Sequence, residues 1–491
     1  MYETIKSIND VLNGFIWGVP AMVCIIGVGL YLSIRTGFVQ IRKFPYALKN
    51  TLGKIFEKKD VKEGALSPFQ AVCTALAATI GTGNIAGVAG AIAIGGPGAV
   101  FWMWISALLG MCTKFCEVTL AVFYREKNDK GEYIGGPMYY IKNGLGKKWM
   151  WLAYAYAFLG ACAVFGTGNA TQVNTIVAAI DSAILNYGAV SEGSLKVLNL
   201  ILGIVICFAV LLILFGGVKR IGSVSEKLVP FMALLYVLLA LGLIVMNINK
   251  LPAVFSSIFM GAFNPQAVTG GIVGSMFTSM TKGVSRGIFS NEAGLGTGSI
   301  AHACADTDEP VKQGMFGIFE VFMDTIVVCS MTGLVVITTG FWNSGLPGAT
   351  LTLTAFESGM GYIGRVLIAV SIFLFGLTTS TGWFTYYSVI LKHWLGNRKK
   401  LLSVAEKVFI FGTPLWGMLV TILNVYSNGT PAQLWTICDF TTIVPTFFNV
   451  ITLFALSGTF IKLLKDYKAR YMGIGEVDPE MELFFEDKKR K

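Results

Sequence analysis

Apolar runs of about 20 residues recur along this 491-residue chain, each parted from the next by a short stretch rich in charged residues, Gly or Pro. A membrane-spanning helix needs about 20 consecutive apolar residues. Eleven segments meet that description, at 15–34, 67–93, 97–124, 149–180, 196–216, 228–247, 266–298, 314–341, 363–391, 405–425 and 432–463. The segments at 67–93 and 266–298 are the least apolar, because Gly, Thr and Ser fill many of their positions. No soluble domain fits between spans, and residues 465–491 read as a charged, solvated tail. The pattern predicts an all-α polytopic membrane protein. The first run is too long for the apolar part of a signal peptide and lacks a small-residue cleavage site, so it is expected to remain as a helix.

Composition agrees. Apolar residues make up 54% of the chain and charged residues 13%, about half the share of a soluble protein. Mean hydropathy is +0.66. A secreted disulfide scaffold, a disordered chain and an ordinary cytosolic enzyme are excluded. The net charge of +10 does not point to nucleic acid, since the basic residues sit in short loops, as topology signals do. They concentrate in 35–66, 125–148, 216–227, 282–312, 392–407 and 462–491, whereas Lys6, Lys196, Lys250 and Arg365 fall on the other side. This asymmetry predicts an outside N-terminus, a cytoplasmic C-terminus and an odd number of spans in a prokaryotic cytoplasmic membrane. The nine cysteines lie mostly inside apolar segments and form no CxxC pair, so they read as packing thiols.

The second span is interrupted by Gly81-Thr82-Gly83-Asn84, and the seventh by Gly270-Gly271-Ile272-Val273-Gly274-Ser275. With the first helix set aside, ten core helices divide five and five, and each half opens on a Gly-interrupted helix. An odd number per half makes the halves antiparallel. A Gly cluster alone also serves close helix packing, but two in matching places of inverted repeats point to a transporter's midplane site. The expected units are 1–66 (extra helix and basic loop), 67–248 and 263–464 (the repeats) and 465–491 (the tail). At such a break, freed N–H groups suit a carboxylate, and freed C=O groups suit a cation or an ammonium group. A zwitterionic amino acid needs both.

The run Ala75 to Pro97, continuing through Gly98-Ala99-Val100-Phe101-Trp102-Met103-Trp104, resembles the signature of the alanine or glycine:cation symporters. Gly287-Ile-Phe-Ser-Asn-Glu-Ala-Gly-Leu-Gly296, Ile300-Ala-His-Ala303, Asp324-Thr325 and Gly166-Thr167-Gly168-Asn169 with Gln172 extend the resemblance along nearly the whole chain. It implies sodium-coupled uptake of alanine or glycine on a leucine-transporter-type fold, with broken core helices one and six and one extra N-terminal helix. It further implies that the substrate carboxylate rests on Thr82 and Gly83. Gly274, Ser275 and Met276 would surround the ammonium group and side chain, with Gln172, Thr379 and Trp383 closing the pocket. Sodium would take the carbonyls of Ala77 and Ile80 and the hydroxyls of Thr378 and Thr379; a second ion would lie near Thr79 and Asn84. The adjacent hydroxyls at 378–381 also admit back-bonding to the preceding helical turn. Where family members commonly carry Tyr-Tyr-Gly-Glu after Gly382-Trp383, this chain has Phe384-Thr385-Tyr386-Tyr387-Ser388 and lacks the carboxylate.

Ionisable residues inside spans are functional candidates by default. Lys114 and Glu117 are spaced to pair along one helix face. Arg286 and Glu292 are candidates for an inner gate. Glu320 and Asp324 share a face, and they carry the alternative that protons are the coupling ion. Asp439 has no evident partner, and His302 and His393 have no metal-type neighbours. Tyr139 and Tyr140 follow Gly135-Gly136-Pro137 in a segment expected to lie along the inner surface. No nucleophile–base pair or metal-spaced cluster suggests an enzyme, and no pore-loop repeat suggests a channel. The partners expected are a small amino acid and the bilayer, with no obligatory protein partner and no nucleic acid.

Overall fold

In hydrocarbon, backbone polar groups must be satisfied within the segment, which favours helices. The computed structural model describes residues 18–51, 53, 61, 65–129, 131–186, 188, 191–271, 273, 275–396, 398–426 and 431–486, with backbone alone at 19, 21, 192, 424–426 and 431–442. Among the described residues it is almost wholly helical. Its strand pairings, among the described residues, are a hairpin joining Glu126–Lys127 to Tyr133–Ile134 and a parallel bridge between Leu66 and Ala305.

Helix α1 (Val19–Thr36) precedes a bent pair, α2 (Pro68–Thr79) and α3 (Val88–Gly95). Then come α4 (Gly98–Phe123), α5 (Met150–Phe165), α6 (Thr171–Leu185), α7 (Glu192–Leu214), α8 (Gly217–Met246) and α9 (Leu251–Phe263). The second part of the chain has α10 (Met276–Asn291), α11 (Gly298–Ala303), α12 (Pro310–Val321), α13 (Ser330–Thr339), α14 (Gly348–Leu395), α15 (Lys399–Tyr426) and α16 (Pro431–Met472). Helices α5 and α6 run on through a π turn at Gly166–Ala170, and α12 and α13 through one at Phe322–Cys329. Helix α14 turns sharply at Gly361 (φ 66°, ψ −166°), so the predicted span at 363–391 is its second part.

Among the described residues, and taking α5 with α6 and α12 with α13 each as one helix, eight helices are long and apolar enough to cross a bilayer, nine if the bent pair is one span. The predicted first and seventh spans fall short by that measure. Helix α1 is described over 18 residues, and α10 carries Thr, Ser, Lys and Arg along its length. The last helix runs to Met472, further than expected, so the chain leaves helix well inside the region read as tail.

Burial separates a core from a rim. Helix α4 is buried over most of its length, whereas α7, α8 and α15 expose Phe208, Leu212, Phe231, Leu238, Leu415 and Leu419. Such faces suit lipid. The core helices approach closely where side chains are missing. A Cβ on Gly382 would lie 2.9 Å from the Ala78 nitrogen, and one on Gly168 would lie 2.8 Å from the Trp383 ring. These contacts press α14 against α2 and the first π turn.

Candidate site at two helix breaks

Helix α2 starts cleanly: Ser67 and Gln70 form a capping box and Pro68 occupies the first turn. It stops at Ile80, whose ψ of 89° leaves the helical path. A π turn at Gly83–Gly87 then leads into α3, and the two arms meet with a 49° bend. Packing explains the stop. A Cβ on Gly81 would lie 2.5 Å from the Thr379 hydroxyl, so α14 approaches the broken backbone directly.

Most of the expected residues converge here. The Thr379 hydroxyl donates to the Ala77 carbonyl (3.1 Å) and lies 3.4 Å from that of Ile80. The amide and hydroxyl of Thr82 both donate to Gln172 Oε1, at 3.1 and 2.9 Å. The Gln172 amide group in turn donates to the Thr167 carbonyl (3.0 Å), so the π turn at Gly166–Ala170 aims the glutamine. Trp383 is 1% exposed and packs one turn further along α14. Three oxygens on two elements are a donor set that suits a hard cation.

Other expected residues are elsewhere. Thr378 turns its hydroxyl to the carbonyls of Leu374 and Phe375 and to Met232 Sδ, which is back-bonding rather than a share in the Thr379 cluster. Thr79 likewise donates to Ala75 (3.1 Å). Ser275 caps the start of α10, and Met276 is 42% exposed. That end of α10 lies beside the end of α3, where Val273 packs on Gly96, and the Ser275 hydroxyl takes the Thr278 amide (3.2 Å). Gly274 lies outside the described residues, as does the side chain of Asp439.

This placement has a physical cause. Glycines at 270 and 271 only turn the chain between short helices, at φ 62° and 90°. The break within the buried part of the second half comes later, between the end of α10 at Asn291 and the start of α11 at Gly298. There Glu292 adopts a left-handed φ of 54°, followed by Gly294 (98°) and Gly296 (87°). Phe289, near the end of α10, faces Gly83: a Cβ on Gly83 would meet its ring at 3.5 Å. Phe289, Ser290 and Asn291, which the sequence did not single out, therefore stand next to the first break as candidates. Their signal was the pair of alternate glycines, Gly294 and Gly296, after Asn291-Glu292.

One π turn ties the two breaks. Asn84 accepts the Gly81 amide (2.9 Å) and donates to Asp324 Oδ1 (2.7 Å). Asn291 accepts the Ala293 amide (2.9 Å) and donates to the Thr325 hydroxyl (3.0 Å). Thr325 donates to the other Asp324 oxygen (2.7 Å). Each asparagine thus caps its own break and hands its amide group to Asp324-Thr325.

Around the second break lies a buried charged network. Lys114 pairs with Glu320 (3.2 Å), not with Glu117. His302 bonds the other Glu320 oxygen (3.0 Å) and Gln313 (2.9 Å). Glu117 accepts the Gly294 amide and the Asn449 amide group, both at 2.8 Å. Tyr140 donates to Asn449, and Tyr156 to the Leu295 carbonyl (2.7 Å). Glu292 accepts from Thr297 (2.5 Å), while the Arg286 guanidinium lies 5.4 Å over the Phe289 ring, so the two gate candidates face different neighbours. Removing one member of a buried ion pair costs far more than removing both. At Ser388, in the stretch that departs from the family pattern, Glu406 of α15 supplies a carboxylate 3.2 Å away.

A bent, buried helix in a multi-pass helical membrane protein is the setting in which transporters hold their cargo. The model of the sodium:alanine symporter family matches residues 2–479, and the chain belongs to that family. It is 39% identical to the sodium/alanine symporter AgcS of Methanococcus maripaludis, covering 94% of this chain and 97% of that protein. It is 37% identical to a putative sodium/proton-dependent alanine carrier protein of Bacillus subtilis, covering 93% and 91%. Among solved structures it is similar in fold to MhsT, crystallised with L-phenylalanine, with a TM-score of 0.52, 16% identity and coverage of 83% and 90%. That likeness identifies the leucine-transporter-type fold.

Proposed function

We propose that the protein imports alanine or glycine together with sodium, by alternating access in a prokaryotic cytoplasmic membrane. The observation that carries this reading is the set of Ala77, Ile80 and Thr379 oxygens around the first break. Sodium would bind among them. The amino-acid carboxylate would take the N–H groups of Thr82 and Gly83, positioned by Gln172. Phe289 and Trp383 would bound the side chain and restrict its size. A second cation would be drawn to the Asp324 carboxylate, which Asn84 bonds at 2.7 Å. Sodium bound at the break would stabilise the conformation that accepts substrate, since only a ligand with different affinities for two states can shift them.

The wider architecture proposed is eleven spans. Helix α1 stands outside a core of two five-helix inverted repeats, each opening on a broken helix, the first α2 with α3 and the second α10 with α11. The N-terminus is outside, and the ends bearing the basic loops are cytoplasmic.

Proton coupling is the second reading. Glu320 is matched by Lys114, whereas Asp324 is bonded to Asn84 and Thr325 and ion-paired with no described residue. Uptake of labelled alanine into proteoliposomes, driven in turn by a sodium gradient and by a pH gradient alone, separates the two. Uptake is expected with sodium at equal pH. Uptake driven by the pH gradient without sodium would replace sodium by protons, and no gradient-driven uptake of any small amino acid would remove the transport reading.

A further inference from the structure

The α2 lead-in and the segment after α11 are joined backbone to backbone at the end of the molecule bearing the basic loops. The Leu66 amide donates to the Cys304 carbonyl (3.0 Å), and the Asp306 amide donates to the Leu66 carbonyl (2.8 Å). This is the parallel bridge at Ala305. It ties the inner end of one broken helix to the inner end of the other. Two backbone hydrogen bonds are a modest tie by themselves, so what covers them decides how often they part.

Arg125, just past the end of α4, is the cover. Its guanidinium donates to the Ala305 carbonyl (2.6 Å) and to the Thr307 carbonyl (3.0 Å), and it is 5% exposed. Its faces are taken by aromatic rings: Tyr133 of the hairpin with its centroid at 3.8 Å, and Phe484 at 4.8 Å. A planar guanidinium can donate at its edge and stack on its faces together; an ammonium group cannot.

Phe484 comes from the region expected to be a solvated tail. After α16 the chain turns back at Gly473 (φ 64°), and Arg470, itself paired with Asp466 (2.6 Å), donates to the Asp478 carbonyl (2.7 Å). The returning segment then lays Phe485 on Tyr124, with centroids 5.4 Å apart, and Glu486 accepts the Lys127 amide (2.8 Å). The last described residues therefore press on both sides of Arg125.

We propose that Arg125 is a positioning residue that locks the Leu66–Ala305 bridge, and that Phe484–Glu486 form a strap over it, together making an inner latch that must release for the site to open to the cytoplasm. The need for release rests on the alternating-access reading above; the latch itself does not depend on which amino acid or ion is carried. The latch is separate from the gate candidates Arg286 and Glu292. It sits beside a cavity of about 720 Å³ that Leu66, Cys304, Glu132 and Lys392 help to line. Lys392 and Glu132 are paired across its wall at 3.0 Å. When the bridge parts, the site and this vestibule would become continuous.

Cys304 is a native reporter. It is 7% exposed, and burial pushes its thiol up to about 11, so it reacts slowly while the latch is shut. The test is N-ethylmaleimide labelling of the purified full-length protein in detergent without amino acid, with Cys304 and Cys329 read separately by peptide mass spectrometry. Arg125→Ala, Arg125→Lys and Phe484→Ala are compared with wild type. Arg125→Ala and Phe484→Ala are each expected to speed Cys304 labelling about tenfold, the scale of losing one charge-assisted or stacked contact. Arg125→Lys should fail to restore the wild-type rate, and Cys329, deep between the breaks and 2% exposed, should not change. Unchanged Cys304 labelling in Phe484→Ala would overturn the strap, and in a folded Arg125→Ala it would overturn the lock. A parallel rise at Cys329 would mean general loosening and would overturn both. If Arg125→Ala does not fold, Phe484→Ala, on a half-buried segment at the surface, still decides the strap and Arg125→Lys the lock. Labelling needs no transport, so failure here is distinguishable from failure of the uptake experiment.

Discussion

The two helix breaks differ in what surrounds them. The first, at Ile80–Gly83, is enclosed by glycines, hydroxyls and one glutamine: Gly81 against Thr379, and Thr82 against Gln172. The second, at Glu292–Thr297, is held by Glu117, Asn449, Tyr156 and its own Thr297, with the Lys114–Glu320 pair beside it. The backbone groups of the first break are bonded to neutral side chains, Gly81 to Asn84, Thr82 to Gln172 and Ala77 to Thr379, which a guest can displace without leaving a buried charge unpaired. A break whose amide is held by a buried carboxylate, as Gly294 is by Glu117, with an ion pair beside it, is costly to undo and part of the frame. The contrast supports the proposal that the first break binds and the second restrains, with Asp324-Thr325 bonded to both.

The contrast is tested most severely at the second break. Lys114→Met leaves Glu320 buried beside an uncharged side chain, at an expected loss of about 3–5 kcal/mol. Thermal unfolding in detergent should show a large drop in Tm, and adding Glu320→Leu should recover most of it. A single variant as stable as wild type would mean that the pair does not restrain this break.

Crowding probes the first break. Gly81→Ala places a Cβ 2.5 Å from the Thr379 hydroxyl, and overpacking of this kind costs about 1–3 kcal/mol. Sodium-driven uptake should fall by about tenfold or more. Gly83→Ala, whose Cβ would meet Phe289 at 3.5 Å, should fold and transport far better. Equal uptake by the two would remove the argument from close approach.

A finer comparison sets the two ends of α10 against each other. Phe289→Ala should raise the KM for alanine several-fold, the scale of losing part of one buried aromatic contact. Met276→Ala, at the exposed end, should leave KM unchanged. The reverse result would restore the sequence-based assignment and refute the structural one.

That assignment shows where sequence reading ended. The helical, membrane-embedded architecture was legible, because apolar runs and basic loops are imposed directly by lipid. The first break was legible too, since Gly-Thr-Gly-Asn supplies glycine where α14 comes close. The second was misplaced because Gly270 and Gly271 looked like a stronger interruption than Asn291-Glu292. The actual break uses a glutamate in left-handed conformation, which residue type alone does not announce. Lys114 and Glu117 appeared paired by spacing, yet Glu320 and the Gly294 amide, distant in sequence, claimed them. For the same reason the side-chain directions of Thr378 and Thr379, adjacent and chemically identical, could not be told apart before the packing of α14 on α2 was known.

Those two threonines offer the most direct test of the binding assignment. Alanine binding to the purified protein, measured by titration calorimetry across a sodium series with potassium as the balancing ion, should show a midpoint in sodium. Thr379→Val, which removes one oxygen from the set at Ala77 and Ile80, should move that midpoint about tenfold higher, as expected for losing a contact to a charged group. Thr378→Val should leave it where it is. Midpoints unchanged in both variants, or shifted only by Thr378→Val, would contradict a sodium site at the first break.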